Sequence, residues 1–178
     1  MNEQLRILLN EALQKQKACE KIAAEATPLQ PDEIIERLRT LERKSWSESP
    51  LEPENRPLEY RFLLSLLNEP AILESRYTAN EHVFLKGLVA QRYIEVLEQI
   101  DDAATLMELA GHCHPQLRPF AVSRFQLVLP HALQDLTPTT IPTWFVRLLR
   151  QPTEMLDFLS VESCHQLTTK IESLLAVI

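Results

Sequence analysis

Glycine is scarce in this chain: Gly87 and Gly111 are the only two among 178 residues, where about twelve would be usual. Loops that cradle phosphate groups need several closely spaced glycines, because the backbone must approach the anion. A nucleophile elbow needs a G-x-S-x-G pattern, which the sequence lacks. The scarcity therefore excludes phosphate-loop chemistry and this elbow. Twelve prolines beside so few glycines are typical of helices joined by proline-containing loops.

Long apolar runs and a disulfide framework are also missing. The longest uninterrupted apolar stretches, 127–130 and 174–178, are far shorter than the roughly 20 residues that span a bilayer. The opening residues 1–4 lack the basic and apolar segments of a secretory signal. The odd number of cysteines at wide spacing favours a reducing compartment, and we expect a cytoplasmic protein. The three cysteines are Cys19, Cys113 and Cys164.

Basic residues are outnumbered, with 18 Lys and Arg against 25 Asp and Glu and a net charge of −7. Nucleic-acid affinity rests largely on cationic neutralisation of phosphates. An acidic chain without a basic run is therefore a poor candidate for nucleic-acid binding, although a local basic face remains possible.

Apolar residues recur every three or four positions, and no useful stretch alternates with a period of two, so the sequence predicts an all-α fold. We expect about eight helices, arranged as an irregular helical bundle or as a short stack of antiparallel helix pairs. The predicted helices cover about 2–25, 31–45, 58–68, 79–99, 102–111, 115–129, 141–150 and 161–177.

Local signals predict where several helices begin and end. Thr78-x-x-Glu81 matches a capping box at the start of the helix at 79–99, and Asp101 is the expected cap of the next helix. Gly111 fits a helix stop, and Pro130 follows the helix at 115–129. Gly87, inside a helix, predicts close approach of a neighbouring helix, because glycine otherwise destabilises a helix interior.

Residues 47–57 form a polar stretch with three prolines that cannot adopt a regular element. They predict a division into three parts: an N-terminal helical hairpin or arm at 1–46, a proline-rich linker at 47–57 and a helical body at 58–178.

Residues 103–130 place an apolar helix, a polar turn with a proline and a second apolar helix in succession. This segment resembles a HEAT-type helical repeat, with Pro115, Leu117, Arg118, Ala121 and Phe125 at the positions of that pattern. The resemblance implies antiparallel helix pairs that stack on neighbours. It also implies scaffolding or partner binding rather than catalysis.

The one group of residues with metal or thiol chemistry is His112-Cys113-His114, which Cys164-His165 could complete. Zinc needs four ligands that converge, and adjacent residues point in different directions, so the favoured interpretation is a helix-joining turn with a buried Cys113. A thiol nucleophile is a further alternative, but no oxyanion-binding motif accompanies the cysteines.

Arg118, Arg124, Arg147 and Arg150 could form a face for anions or an acidic partner if their helices pack side by side. Nucleic acid is the alternative ligand of such a face. The remaining candidate contacts are Leu5 and Leu8 on the first helix, Trp46 before the linker, and Trp144.

Trp144 is adjacent to Phe145, so we expect one ring to face inward and the other partly outward. Together these patterns predict a non-enzymatic helical adaptor or regulatory subunit that binds another protein and uses no cofactor. The N-terminal helices could also support a homo-oligomer. The alternatives are a nucleic-acid-binding helical protein and a small thiol or metal-dependent enzyme.

Overall fold

The computed structural model describes residues 3–26, 29–43, 56–150 and 159–177. Within these ranges the chain forms nine helices and no strand, which confirms the all-α prediction. No helix in the described ranges is long and apolar enough to cross a membrane. The helices are α1 (Glu3–Ala26), α2 (Pro31–Glu42), α3 (Arg56–Ser65), α4 (Pro70–Ala79), α5 (Val83–Glu98), α6 (Ala103–His112), α7 (Arg118–Gln134), α8 (Thr143–Arg150) and α9 (Val161–Leu175).

The chain divides into two compact units, unit 1 (Met1–Arg92) and unit 2 (Tyr93–Ile178). In unit 1, α3 packs against both α1 and α2. In unit 2, α7 packs against α6 and α9, and α6 also packs against α8. Residues 47–55 of the predicted linker lie outside the described ranges, while Arg56 and Pro57 belong to α3 and so are not linker. The three-part division stays a prediction.

Helix α2 begins at Pro31, where the missing amide hydrogen costs nothing and the fixed φ suits a first turn. The backbone amide of Gln30 donates to Glu33 Oε2 at 2.8 Å, which satisfies a donor at the helix start. The buried side chains of α2 are Ile34, Leu38 and Leu41. They share one side because they are spaced by three and four residues, and this side packs on α3.

The sequence predicts no full helix between residues 68 and 79, and this is wrong, because α4 is a ten-residue helix that starts at Pro70. Thr78 lies inside α4 and donates to the Glu74 carbonyl at 3.0 Å, so it does not cap the following helix. Helix α5 instead begins at Val83. Inside a helix, a threonine hydroxyl can donate to the carbonyl four residues earlier. Thr78 does this, so the Thr78-x-x-Glu81 pattern does not mark the start of a helix.

Asp102, not the predicted Asp101, caps α6. Its carboxylate accepts from the Thr105 backbone amide at 2.8 Å and from the Thr105 hydroxyl at 2.6 Å. These bonds stabilise the carboxylate and lower the pKa of Asp102. Asp101 is instead paired with Arg124. Of the two neighbouring aspartates, Asp102 therefore caps α6 and Asp101 forms an ion pair.

The two glycine predictions are also wrong. Gly111 lies within α6, which continues to His112 and is capped by Cys113 in an extended conformation, and no glycine in the described residues has a positive φ. A Cβ on Gly87 would meet no atom within 4 Å. No neighbouring helix approaches Gly87 closely, and nothing in the structure explains the glycine there.

Pro130 does not end α7, which continues to Gln134. A proline inside a helix has no amide hydrogen to donate and costs about 3 kcal/mol. Because α7 continues past Pro130, Leu133 is buried in the next turn and is 5% exposed. Full burial of a leucine contributes about 1.5–3 kcal/mol, which offsets most of that cost.

A motif of buried residues recurs along the chain: an aromatic residue followed at the third and fourth positions by two aliphatic residues. Successive copies are 33 and 32 positions apart, and every member is at most 7% exposed. The copies are Tyr60-x-x-Leu63-Leu64 in α3, Tyr93-x-x-Val96-Leu97 in α5 and Phe125-x-x-Val128-Leu129 in α7. We call this the repeat motif. Two further segments share the spacing but not the full burial. They are Phe145-x-x-Leu148-Leu149 in α8, where Leu149 is 46% exposed, and Ile171-x-x-Leu174-Leu175 in α9, 46 positions after the copy in α7, where Leu175 is 65% exposed.

A basic residue precedes the motif in α5, α7 and α9. Arg92 Nε donates to the Leu67 carbonyl at 3.2 Å and its Nη2 to Asn68 Oδ1 at 2.7 Å. Arg124 repeats this geometry, with Nε on the Ile100 carbonyl at 3.1 Å and Nη2 on Asp101 Oδ1 at 2.5 Å. Arg92 thus stabilises the turn that follows α3, and Arg124 stabilises the turn that follows α5.

Candidate interaction surface

Helix α8 is strongly two-sided. Phe145 and Leu148 are buried at 2% and 1% exposure, while Arg147 and Arg150 are exposed. Residues three apart on a helix are neighbours on its surface, so the two guanidinium groups lie on one face. Both lie in the last turn, where cations interact favourably with the helix dipole. We call this surface, with Arg147 and Arg150, the α8 face.

The ring of Trp144 links α8 to α7. It meets the Phe125 ring edge to face at a centroid distance of 6.2 Å and the Phe145 ring at 5.7 Å. Trp144 is half-buried and Phe145 buried, which confirms the prediction that one ring faces inward and the other partly outward. The pair fixes the orientation of α8 within unit 2, and hence the direction of its outer face.

His112, the last residue of α6, extends the α8 face. Its Nε2 lies 3.5 Å from Arg147 Nη2. Because a guanidinium can only donate, the imidazole nitrogen is the acceptor of this contact. In the part of the chain that the structure describes, no carboxylate lies within 4.0 Å of Arg147 or Arg150. Within the described residues, the α8 face thus carries two exposed positive charges side by side.

The other two predicted arginines lie in different settings. Arg124 is bonded to Ile100 and Asp101, and only 21% of its side chain is exposed. Arg118 is the half-buried first residue of α7. Of the four arginines, Arg147 and Arg150 are thus the exposed pair on a single helix face. The nucleic-acid alternative, which rested on all four, stays a prediction.

The His112-Cys113-His114 segment joins α6 to α7. Cys113 is buried, at 2% exposure. His114 Nδ1 accepts from the Gln116 amide at 3.2 Å, and the His114 carbonyl accepts from the Leu117 amide at 2.8 Å. The favoured interpretation, a helix-joining turn with a buried cysteine, is confirmed.

Cys164 is half-buried and His165 exposed, both on α9. Among the residues with described positions, no group of three or more His, Cys, Asp or Glu side chains could hold a metal ion. The thiol and metal alternatives stay untested predictions.

Unit 1 contains a buried polar cluster that sequence reasoning missed. Glu42 accepts from the Tyr60 hydroxyl at 2.9 Å, from Arg76 Nη1 at 3.2 Å and from Asn80 Nδ2 at 3.0 Å. The Arg76 and Glu42 side chains are 9% and 12% exposed. Burial, and then the charge of Glu42, raise the pKa of Tyr60 far above its usual range. The cluster fastens the end of α2 to α3 and α4.

The N-terminal candidates are less fully described. Leu5 and Leu8 belong to α1, and Trp46 lies outside the described residues. On α1, Ile7 and Leu13 are 51% and 49% exposed. A contact role for the N-terminal helices stays a prediction.

Comparison with protein-family models, with curated proteins and with solved structures gives no match for this chain.

Proposed function

We propose that the protein is a non-enzymatic helical adaptor that binds an acidic surface of another protein through the α8 face. The observation that carries this proposal is the exposure of Arg147 and Arg150 on one helix face with His112 beside them. The repeat motif supports the helical-stack part of the proposal, since stacked helix pairs build extended binding surfaces. A HEAT-type arrangement is the form of stack that we propose.

Charge selects the class of partner. Arginine presents a planar fork of donors that matches a carboxylate with two parallel hydrogen bonds. Exposed ion pairs contribute only about 0.2–1 kcal/mol each, so apolar contact must supply further affinity. Leu149 on α8 is 46% exposed, and Ile141 just before α8 is 42% exposed. An acidic protein segment with apolar side chains would use both kinds of contact.

Nucleic acid fits this surface less well. A nucleic-acid-binding protein gains affinity by neutralising several phosphates along a track. The α8 face offers two arginines, and the whole chain carries a net charge of −7. Both facts favour a compact acidic patch on a protein over a long polyanion.

Affinity capture from native cells tests the proposal. The tagged full chain is compared with the double variant Arg147→Glu/Arg150→Glu. Arg39→Glu/Arg61→Glu is the matched control, because it makes the same change of charge at exposed positions of unit 1. We expect a partner protein that the wild type and the control retain and the α8 variant loses. Equal capture by both variants would contradict the proposal, and nuclease-sensitive capture would favour nucleic acid.

A further inference from the structure

We propose that two copies of this chain associate through α9, packed antiparallel about Thr168. This contact is separate from the α8 face and does not depend on the proposed adaptor function. It rests on three observations: one exposed position of the repeat motif, a line of residues along α9, and the charges beside that line.

The first observation is the exposure of Leu175. The final leucine of the repeat motif is 2% exposed at Leu64, 1% at Leu97 and 0% at Leu129, but 65% at Leu175. In α3, α5 and α7 this position is thus covered by packed helices. In α9 the corresponding position faces solvent, as Leu149 does in α8 at 46% exposure, so Leu175 contributes an apolar surface that a further helix could cover.

The second observation is that Leu175 ends a line of residues along α9. Val161, Thr168 and Leu175 are spaced by seven, so they follow one another along the same side of the helix. Val161 is 88% exposed and Thr168 is exposed, while Cys164 and Ile171 are half-buried between them. The alternating spacing of three and four is that of a helix-pairing seam.

This line is distinct from the side of α9 that is already packed. Ser163, Leu167 and Leu174 are the buried residues of α9, and α9 packs on α7. The α9 helix therefore has one occupied side and a second seam on which Val161, Thr168 and Leu175 are exposed.

The third observation identifies the occupant as a second copy. The line reads apolar, polar, apolar about Thr168, so an antiparallel copy would place Val161 against Leu175 of its partner. The same two-fold arrangement would bring His165 near Glu172, and both are exposed. An imidazole N–H donates to a carboxylate. This self-complementarity is the requirement of an isologous dimer contact.

A parallel arrangement is less favourable. With the copies parallel, the two-fold axis places His165 of one copy and Glu172 of the other on opposite flanks of the seam, so no imidazole meets a carboxylate. A helix of 15 residues is about 22 Å long, which makes a small contact by the standard of stable dimers. We therefore expect a dimer that dissociates on dilution.

Sedimentation equilibrium of the full chain over a hundredfold range of concentration tests this inference. We expect a monomer–dimer equilibrium. Leu175→Glu should raise the dissociation constant by roughly tenfold or more. Val83→Glu, an equal change at a position 78% exposed in unit 1, should leave it unchanged. A wild type that stays monomeric, or a dimer that Leu175→Glu does not weaken, would overturn the proposal.

Substitutions at two exposed positions, where folding is not at risk, test the antiparallel register. His165→Glu should weaken the dimer, because it faces Glu172 of the partner copy. The double variant His165→Glu/Glu172→Arg should restore the wild-type dissociation constant. Failure of this rescue would refute the antiparallel pairing. The Arg147→Glu/Arg150→Glu variant should dimerise normally, so failure here and failure of the adaptor proposal are distinguishable.

Discussion

One group of charged side chains in unit 1 and one in unit 2 lie in contrasting settings. In unit 1 the carboxylate of Glu42 is enclosed by Tyr60, Arg76 and Asn80, and the charges face inward. In unit 2, Arg147 and Arg150 face outward beside His112. The same residue type thus fixes the fold in one place and offers a binding surface in another. Which role an arginine has depends on the hydrogen-bond acceptors within reach of its guanidinium group, not on the number of arginines.

Arg92 and Arg124 show what the units share. Each residue directly precedes a copy of the repeat motif. Each donates from Nε to a backbone carbonyl and from Nη2 to a side-chain oxygen, and these acceptors lie in the turn that follows α3 for Arg92 and α5 for Arg124. Arg147 differs, because its described contact is His112. The comparison separates two structural arginines from two exposed ones, and substitutions can test that separation.

The largest expected effect lies in the buried cluster. Glu42→Ala would leave the Arg76 guanidinium buried without its carboxylate, and we expect unfolding to become easier by about 3–5 kcal/mol. Glu36→Ala is the matched control on α2, where the side chain is 58% exposed, and its cost should stay under about 0.5 kcal/mol. Urea denaturation followed by circular dichroism measures both. Similar losses for the two variants would show that the cluster does not fasten α2.

Next in size is the comparison of two equivalent leucines. Leu129→Ala removes a fully buried side chain, and we expect a loss of about 2–5 kcal/mol. Leu175→Ala changes the same motif position where it is exposed, and should cost less than about 0.5 kcal/mol. Urea denaturation of dilute samples keeps the proposed self-association out of the comparison. A large loss at Leu175 would mean that α9 packs differently from this description.

The smallest of the three effects concerns the arginines of unit 2. Arg124→Met would remove the bonds to Ile100 and Asp101, and hydrogen bonds of charged groups contribute about 1.5–3 kcal/mol. Arg150→Met should change stability by less than about 0.5 kcal/mol. Thermal and urea unfolding of the two variants check this difference. Equal losses would remove the distinction between structural and exposed arginines.

Much of the helical pattern was predictable, because apolar residues at spacings of three and four reveal helices without tertiary information. The positions at which the helices begin and end were less predictable. Pro70 begins a helix, Pro130 lies within one, and the same residue type is compatible with both positions when packing around it differs.

The repeat motif was missed because its spacing shifts from 33 to 32 and then to 46. An aromatic residue with aliphatic residues three and four positions later was the available signal. The Glu42 cluster had no local signal, since Tyr60, Arg76 and Asn80 are 18, 34 and 38 positions away. The sequence indicated Arg147 and Arg150 as part of the interaction surface. It could not show that Arg124 has a structural role instead, because the acceptors of Arg124 lie 23 and 24 positions away.

The most direct test of the central claim is the affinity of the captured partner for the purified full chain, measured by calorimetry at low and high salt. Affinity should fall with salt, because exposed charges are screened. Arg147→Glu/Arg150→Glu should weaken binding by roughly tenfold or more, while Arg39→Glu/Arg61→Glu should match the wild type. Equal affinities for all three proteins would contradict a partner contact at the α8 face.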